Sequence, residues 1–330
     1  MTENHQTPDQ SGRVADAVDH NWVDRFAPVK ARPYLRLSRA DRPAGTWLLL
    51  IPCWWALTLA LLADGAAISP YHQWLFVACA LGAFLMRGAG CTWNDITDRH
   101  LDAQVARTKS RPIPSGQISV KRAALWMAIQ TGISALILFS LNSAAILWGI
   151  AALLPVAIYP FAKRFTWWPQ VFLGVAFNWG ALLMWVAYFG TISWAAILLY
   201  LSGIAWTLFY DTIYAHQDKE DDALIGIKST ARLFHNNTKT WLFGFLVAIT
   251  VLMVLALIGA VGDRLNILAL VFAIMGIWAF GMHMMWQLRK LDIDDPDICL
   301  KLFRANRDAG FLPIAGFALA YAVQISLGGA

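Results

Sequence analysis

Nine apolar runs, near residues 44–63, 72–93, 121–141, 143–161, 168–189, 193–215, 240–260, 265–286 and 311–328, constrain this chain more than any motif it carries. Each has about the length, roughly 20 residues, that an α-helix needs to cross a hydrocarbon core. In lipid the backbone N–H and C=O groups must be satisfied within the segment, so such runs read as transmembrane helices. The expected fold class is all-α, a polytopic membrane bundle of nine transmembrane helices. The breaks agree: Asp64-Gly65, Leu141-Asn142-Ser143, Gly190-Thr191 and Gly262-Asp263 are short turns, and they alternate with longer polar loops. With 58% of 330 residues hydrophobic and 14% charged, an ordinary water-soluble globule is excluded.

The net charge of +5 would suit nucleic acid if the basic residues formed one patch. Instead, 24 of the 26 Lys and Arg fall in the N-terminal region and in the loops near 99–122, 163–164, 216–239 and 289–307. The positive-inside rule then puts the N-terminus and these loops in the cytoplasm and the C-terminus outside, with lipid rather than nucleic acid as the surrounding partner. Residues 1–30 read as a mobile polar tail and 31–330 as a single transmembrane domain. The first twenty residues carry Glu3, Asp9, Asp16 and Asp19 against Arg13 alone. They show neither an apolar signal core nor the acid-poor, Arg-rich character of an organelle transit sequence, so a bacterial inner membrane is expected. Cys53, Cys79, Cys91 and Cys299 have no metal-ligand spacing and read as packing residues.

Two acidic clusters close the second and sixth runs: Asn94-Asp95-x-x-Asp98-x-x-x-Asp102 and Asp211-x-x-Tyr214-x-x-x-Asp218-x-x-x-Asp222. At about 100° per helical residue, the first four polar residues span a wedge of about 100°, and Asp211, Asp218 and Asp222 one of about 40°. Carboxylates stacked on one face repel one another, and nearness to lipid adds a desolvation cost, so the arrangement calls for cations. An all-oxygen donor set without His or Cys suits Mg²⁺, whose shell is completed by water and phosphate oxygens. The bland alternative is a set of solvated loop charges at helix ends. A diphosphate is the natural third party, because cations bridging it to the aspartates neutralise charge on a leaving group. Arg107, Lys109 and Arg111, then Lys163 and Arg164, then Lys228, are placed to close over its phosphates, although the positive-inside pattern accounts for the same residues. Each cluster precedes a long basic loop, so the chain reads as two four-span units plus a ninth helix, with two half-sites facing one another in one bundle.

Apart from Lys121 and Arg122 at the very start of the third run, Arg87 is the one Lys or Arg within a run, seven residues before Asn94 and so about two turns deeper on nearly the same helical face. A guanidinium there calls for a carboxylate, either an aspartate of the same site or a carboxylate on a second substrate.

These residues resemble the UbiA superfamily of intramembrane aromatic prenyltransferases over nearly all of the chain after residue 30. The likeness rests on Asp41-Arg42-Pro43, NDITDRHLD at Asn94–Asp102, RPIPSG at Arg111–Gly116, and Tyr159-Pro160-x-x-Lys163-Arg164. It continues through Pro169-Gln170, Asn178-Trp179-Gly180, YDTIYAHQDKEDD at Tyr210–Asp222 and GIKST at Gly226–Thr230. The second motif and GIKST look like the branch that prenylates 4-hydroxybenzoate in ubiquinone synthesis. The resemblance implies nine helices around a central cavity, capped by the cytoplasmic loops. It implies metal ligation by Asn94, Asp98, Asp102 and Asp218, with Asp222 at a further motif position. It also implies diphosphate contacts from Lys163 and Tyr159, and an acceptor carboxylate on Arg87. Asp98, Asp102, Asp218, Asp222 and Lys163 are thus the catalytic candidates. Asp95, Arg111, Asp211, Tyr214 and Lys228 join Arg87, Asn94, Tyr159 and Lys163 as substrate-binding candidates.

The expected reaction is Mg²⁺-dependent transfer of a polyprenyl chain from polyprenyl diphosphate to the ring carbon ortho to the hydroxyl of 4-hydroxybenzoate. Among 17 Trp, 18 Phe and 8 Tyr, Tyr159 and Tyr214 are the candidates for cation–π contact with an allylic cation. Transfer to another acceptor such as homogentisate is the rival within the class. An organic-anion transporter is the rival outside it, and would place its charges near mid-bilayer on broken helices rather than at one rim.

Overall fold

In the computed structural model of the chain, residues 14, 17–18, 20–105 and 108–328 are described, and every regular element among them is helical. The helices are α1 (Trp22–Phe26), α2 (Arg32–Leu37), α3 (Ala44–Asp64), α4 (Pro70–Asp102), α5 (Val120–Leu138), α6 (Ser143–Ala151), α7 (Leu153–Ile158) and α8 (Ala162–Phe165). They continue with α9 (Pro169–Phe189), α10 (Trp194–Ala215), α11 (Lys219–Leu224), α12 (Thr230–Phe234), α13 (Thr238–Val261), α14 (Ile267–Lys290) and α15 (Pro296–Gly328). Eight segments among the described residues are long and apolar enough to cross a membrane, which makes this a multi-pass membrane protein. A helix covers each of the nine predicted runs, but α5 is not among the eight. It opens on Lys121 and Arg122 and buries Gln130, whose amide donates to Ser38 Oγ at 2.9 Å, so its apolar length is short.

Local chemistry sets the ends. Gly65 and Gly190 stop α3 and α9 with φ of +66° and +77°, a left-handed turn in which a side chain would be strained. Asn142 caps α6 by accepting from Ala145 N at 2.8 Å, and its amide donates to the carbonyl of Ala187 at 2.8 Å. The run expected as one helix over 143–161 is broken into α6, α7, a 3₁₀ turn at Tyr159–Phe161 and α8. Pro155 and Pro160 are the cause: each lacks an N–H and crowds the carbonyl four residues earlier, that of Ala151 and of Val156.

The chain divides into two compact units, Met1–Gly45 with Leu85–Ile133, and Thr46–Phe84 with Ser134–Ala330. Of the expected tail, residues 1–13, 15, 16 and 19 lie outside the described residues. Of the remainder, Val14 and Val23 are buried, Asn21 caps α1 by accepting from Asp24 N at 3.0 Å, and Val23 and Ala27 cluster with Ala40.

The first unit has a small core of Leu37, Ile113, Ile118 and Ala123. The second has a large one centred on Trp55, Trp206 and Phe280, with the two indoles 4.8 Å apart. Lipid is as apolar as leucine, so close packing and internal hydrogen bonds must hold such helices together. Both are present: α14 and α15 cross at Gly276 and Gly316, where a Cβ on Gly276 would stand 2.7 Å from Gly316 Cα. Trp206 Nε1 donates to Asn306 Oδ1 at 2.9 Å, and the Asn306 amide donates to Gln287 Oε1 at 2.8 Å.

Candidate active site: two acidic motifs

In the first unit α4 runs unbroken to Asp102, so Arg87, Asn94, Asp95, Asp98 and Asp102 are carried on one regular helix and keep the predicted phase. Asp95 and Asp98 are 0% exposed and Asp102 6%. Asp95 is gripped from both sides of its carboxylate by Arg39, at 2.5 and 2.9 Å. Arg111, from the RPIPSG string, reaches the same group at 3.4 Å and donates to Asp102 Oδ2 at 2.8 Å. Thr108 ties the intervening loop to the helix end by donating to the Asp102 carbonyl at 2.8 Å. Arg111 therefore binds two motif carboxylates in this structure, and Asp95 is part of an ion-pair network with two arginines. Arg107 lies outside the described residues, and Lys109 is exposed.

Arg39 was not legible as a site residue. It stands in the short stretch before α3 with φ +58°, and nothing in its spacing links it to a motif 56 positions later. The one available signal is the charge count. The first motif has three aspartates, and a buried carboxylate needs a cation from somewhere.

In the second unit the acidic motif does not lie on one helix. Asp211 and Tyr214 end α10, a 3₁₀ turn occupies His216–Asp218, and Asp222 is on α11. A 3₁₀ turn advances about 120° per residue, against about 100° in an α-helix. Three such residues rotate Asp218 and Asp222 by about 60° away from the phase of Asp211 and Tyr214. The predicted 40° stripe thereby widens to about 80°, and the motif has two parts. Tyr214 packs its ring on Phe303 at 4.5 Å, and all four motif residues are half-buried.

The chain then turns at Gly226, with φ +77°, and GIKST docks against the segment that carries Tyr159 and Lys163. Lys228 N donates to the Lys163 carbonyl at 3.1 Å, and Lys228 Nζ donates to the Phe165 carbonyl at 3.3 Å, standing 5.9 Å from the Trp167 ring. Thr230 N donates to Gln170 Oε1 at 3.2 Å, so the Pro169-Gln170 pair anchors the same loop. The structure thus joins the Lys163 and Lys228 segments.

Among the described residues, no three His, Cys, Asp or Glu side chains stand close enough to enclose an ion by themselves. Mg²⁺ is usually held by only one or two carboxylates, with water and substrate phosphate filling its shell. The half-buried Asn94 amide and the Asp98, Asp102, Asp218 and Asp222 carboxylates are hard oxygen donors of that kind, so the residues present fit the metal. Asp95 is bound by two guanidinium groups, and Asp102 by one of the same two, that of Arg111.

The description "UbiA prenyltransferase family" matches residues 49–307. Over 298 residues the chain is 47% identical to a protein of Bos taurus named "4-hydroxybenzoate polyprenyltransferase, mitochondrial", covering 90% of this chain and 77% of that one. Its Homo sapiens counterpart of the same name is 44% identical over 314 residues, 94% of this chain and 81% of that one. Among solved structures, a UbiA homologue from Archaeoglobus fulgidus bound to GPP and Mg²⁺ superimposes with a TM-score of 0.62 at 20% identity, covering 89% of this chain and 99% of that one. An apo UbiA homologue from Aeropyrum pernix K1 gives 0.60 at 20% identity, with 86% and 98% covered.

Proposed function

This chain belongs to the UbiA prenyltransferase family, and we propose that it transfers a polyprenyl chain from polyprenyl diphosphate to the ring carbon ortho to the hydroxyl of 4-hydroxybenzoate, a step of ubiquinone biosynthesis. The observation that carries this reading is the 44–47% identity, over 90–94% of the chain, with proteins named for that activity. The allylic C–O bond breaks, diphosphate leaves, the ring carbon bonds to the prenyl carbon, and a ring proton is lost to restore aromaticity.

Asn94, Asp98 and Asp102 of the first motif, and Asp218 and Asp222 of the second, would hold Mg²⁺. When bound, the ion neutralises the charge that grows on diphosphate as its C–O bond breaks. Lys163, Tyr159, Lys228 and Arg111 bind phosphate oxygens, and Arg111 exchanges a motif carboxylate for one of them. Asp95 orients α4 through Arg39. Asp211 and Tyr214 line the substrate site. Arg87 binds the acceptor's carboxylate two turns below Asn94. Lipid-facing helices exclude the water that would quench an allylic cation. The proposed membrane is a bacterial inner one, although the relatives compared above are mitochondrial. α5 would be the ninth span, and the distribution of Lys and Arg supports a cytoplasmic N-terminus.

The test is an assay of purified membranes with farnesyl or longer diphosphates and a panel of phenolic acids that includes homogentisate, with and without magnesium. Prenylated 4-hydroxybenzoate formed only with magnesium is expected, whereas a product from homogentisate alone would reassign the acceptor. In the same assay, Arg87→Ala should raise KM for 4-hydroxybenzoate by roughly tenfold to a hundredfold, the loss of one charge-assisted hydrogen bond. KM for the prenyl diphosphate should stay nearly constant. An equal effect on both substrates would put Arg87 in the phosphate site instead.

A further inference from the structure

Gly45 is buried in the first turn of α3, in the same unit as Arg87. Its φ is not in the left-handed region, where the chain has Gly65, Gly116, Gly190, Gly226 and Gly262. The backbone therefore does not require glycine here, and within a helix glycine is about 1 kcal/mol worse than alanine. Space is what requires it. A Cβ on Gly45 would stand 2.7 Å from Arg87 Cζ and 2.8 Å from Arg87 Nε, and would also collide with Nη2. All three of those nearest atoms belong to one planar group, so the guanidinium occupies the space where a side chain would otherwise be. The next residue after Arg87 is matched in the same way. A Cβ on Gly88 would stand 2.9 Å from Ser38 Oγ, the atom that receives hydrogen bonds from Trp126 at 2.8 Å and Gln130 at 2.9 Å. Close approach therefore fixes this part of α4 on both sides.

We infer that Gly45 is a positioning residue for the acceptor: its missing side chain sets where the Arg87 guanidinium lies, and so where the carboxylate of a phenolic acid is held. This rests on the reading of Arg87 as the acceptor's anchor. Neither residue needs to touch the prenyl diphosphate for the inference to hold. A methyl group at position 45 displaces the guanidinium by about an ångström, a misplacement that can cost up to about a hundredfold.

The experiment is a double-mutant cycle on the full chain in detergent with Gly45→Ala, Arg87→Ala and both together. Gly45→Ala should raise KM for 4-hydroxybenzoate about tenfold, with KM for the prenyl diphosphate unchanged. Adding it to Arg87→Ala should cost nothing further, because the group it displaces is gone. If Gly45→Ala alone does not fold, the double variant should fold like Arg87→Ala alone. An additive loss of acceptor affinity, or a double variant that remains unfolded, overturns the inference. The reading of Arg87 fails separately: if Arg87→Ala weakens the diphosphate instead, yet the two substitutions stay non-additive, Gly45 still positions Arg87 but for another ligand.

Discussion

Replacing Asp98 by asparagine is expected to cut turnover by at least about a hundredfold, the scale seen when one group stabilising transition-state charge is removed, while the protein stays folded in detergent. Asp98 is fully buried at the centre of the first motif, one turn from Asp95 and one turn from Asp102. Asparagine keeps its volume and one oxygen acceptor, while it gives up the charge and replaces the second oxygen by an N–H donor. Packing is preserved and ion binding is lost. The same substitution at Asp218 should act alike, since Asp218 closes the 3₁₀ turn that leads into the second part of the second motif. Prenylation rates measured across a magnesium titration, beside thermal unfolding midpoints, separate the two effects. A rate that recovers at high magnesium identifies the lost function as ion affinity. Near-normal turnover in either variant removes that motif from the metal site.

What could be read in advance divides along physical lines. Transmembrane length in eight of the nine runs and the short turns at Gly65 and Gly190 are local properties of the residues that make them, and the structure has them where they were expected. The first motif kept its predicted phase because nothing between Pro70 and Asp102 interrupts the helix. The second did not. A 3₁₀ turn at His216–Asp218 leaves no composition signal, since His, Gln and Asp are ordinary helix residues, and it follows from how the segment packs. The break at Ala151 was written in the sequence as Pro155 inside an apolar run, where hydropathy alone conceals it. α5 shows the converse, since a run that ends in good apolar residues begins with two cations and buries a glutamine. Arg39 belongs to neither case. Its pairing with Asp95 is a tertiary contact across 56 residues, and its backbone is in a conformation that sequence patterns assign to glycine or asparagine.

That pairing carries the largest expected effect on stability. Arg39→Ala should destabilise the protein by about 3 kcal/mol or more, because it leaves a buried carboxylate with one of its two cations removed. Arg111 remains, but it meets Asp95 at 3.4 Å while donating to Asp102 at 2.8 Å, so it cannot replace a two-pronged grip. Arg39→Gly serves as the control for the backbone. At φ +58° glycine avoids the left-handed penalty of about 1–2 kcal/mol that alanine retains, so the glycine variant should be the more stable of the two by about that amount. Removing both charges together, as Arg39→Met with Asp95→Leu, should recover much of the loss, since a buried pair replaced by apolar groups of similar volume is often neutral in stability. Thermal unfolding in detergent measures all three. The recovered variant is the informative one for function: if the Arg39–Asp95 pair also holds α4 in the orientation that presents Asp98, the double variant will be stable and still slow. Full stability with full turnover would reduce the pair to packing, and an unchanged midpoint in Arg39→Ala would mean that Arg111 alone compensates Asp95.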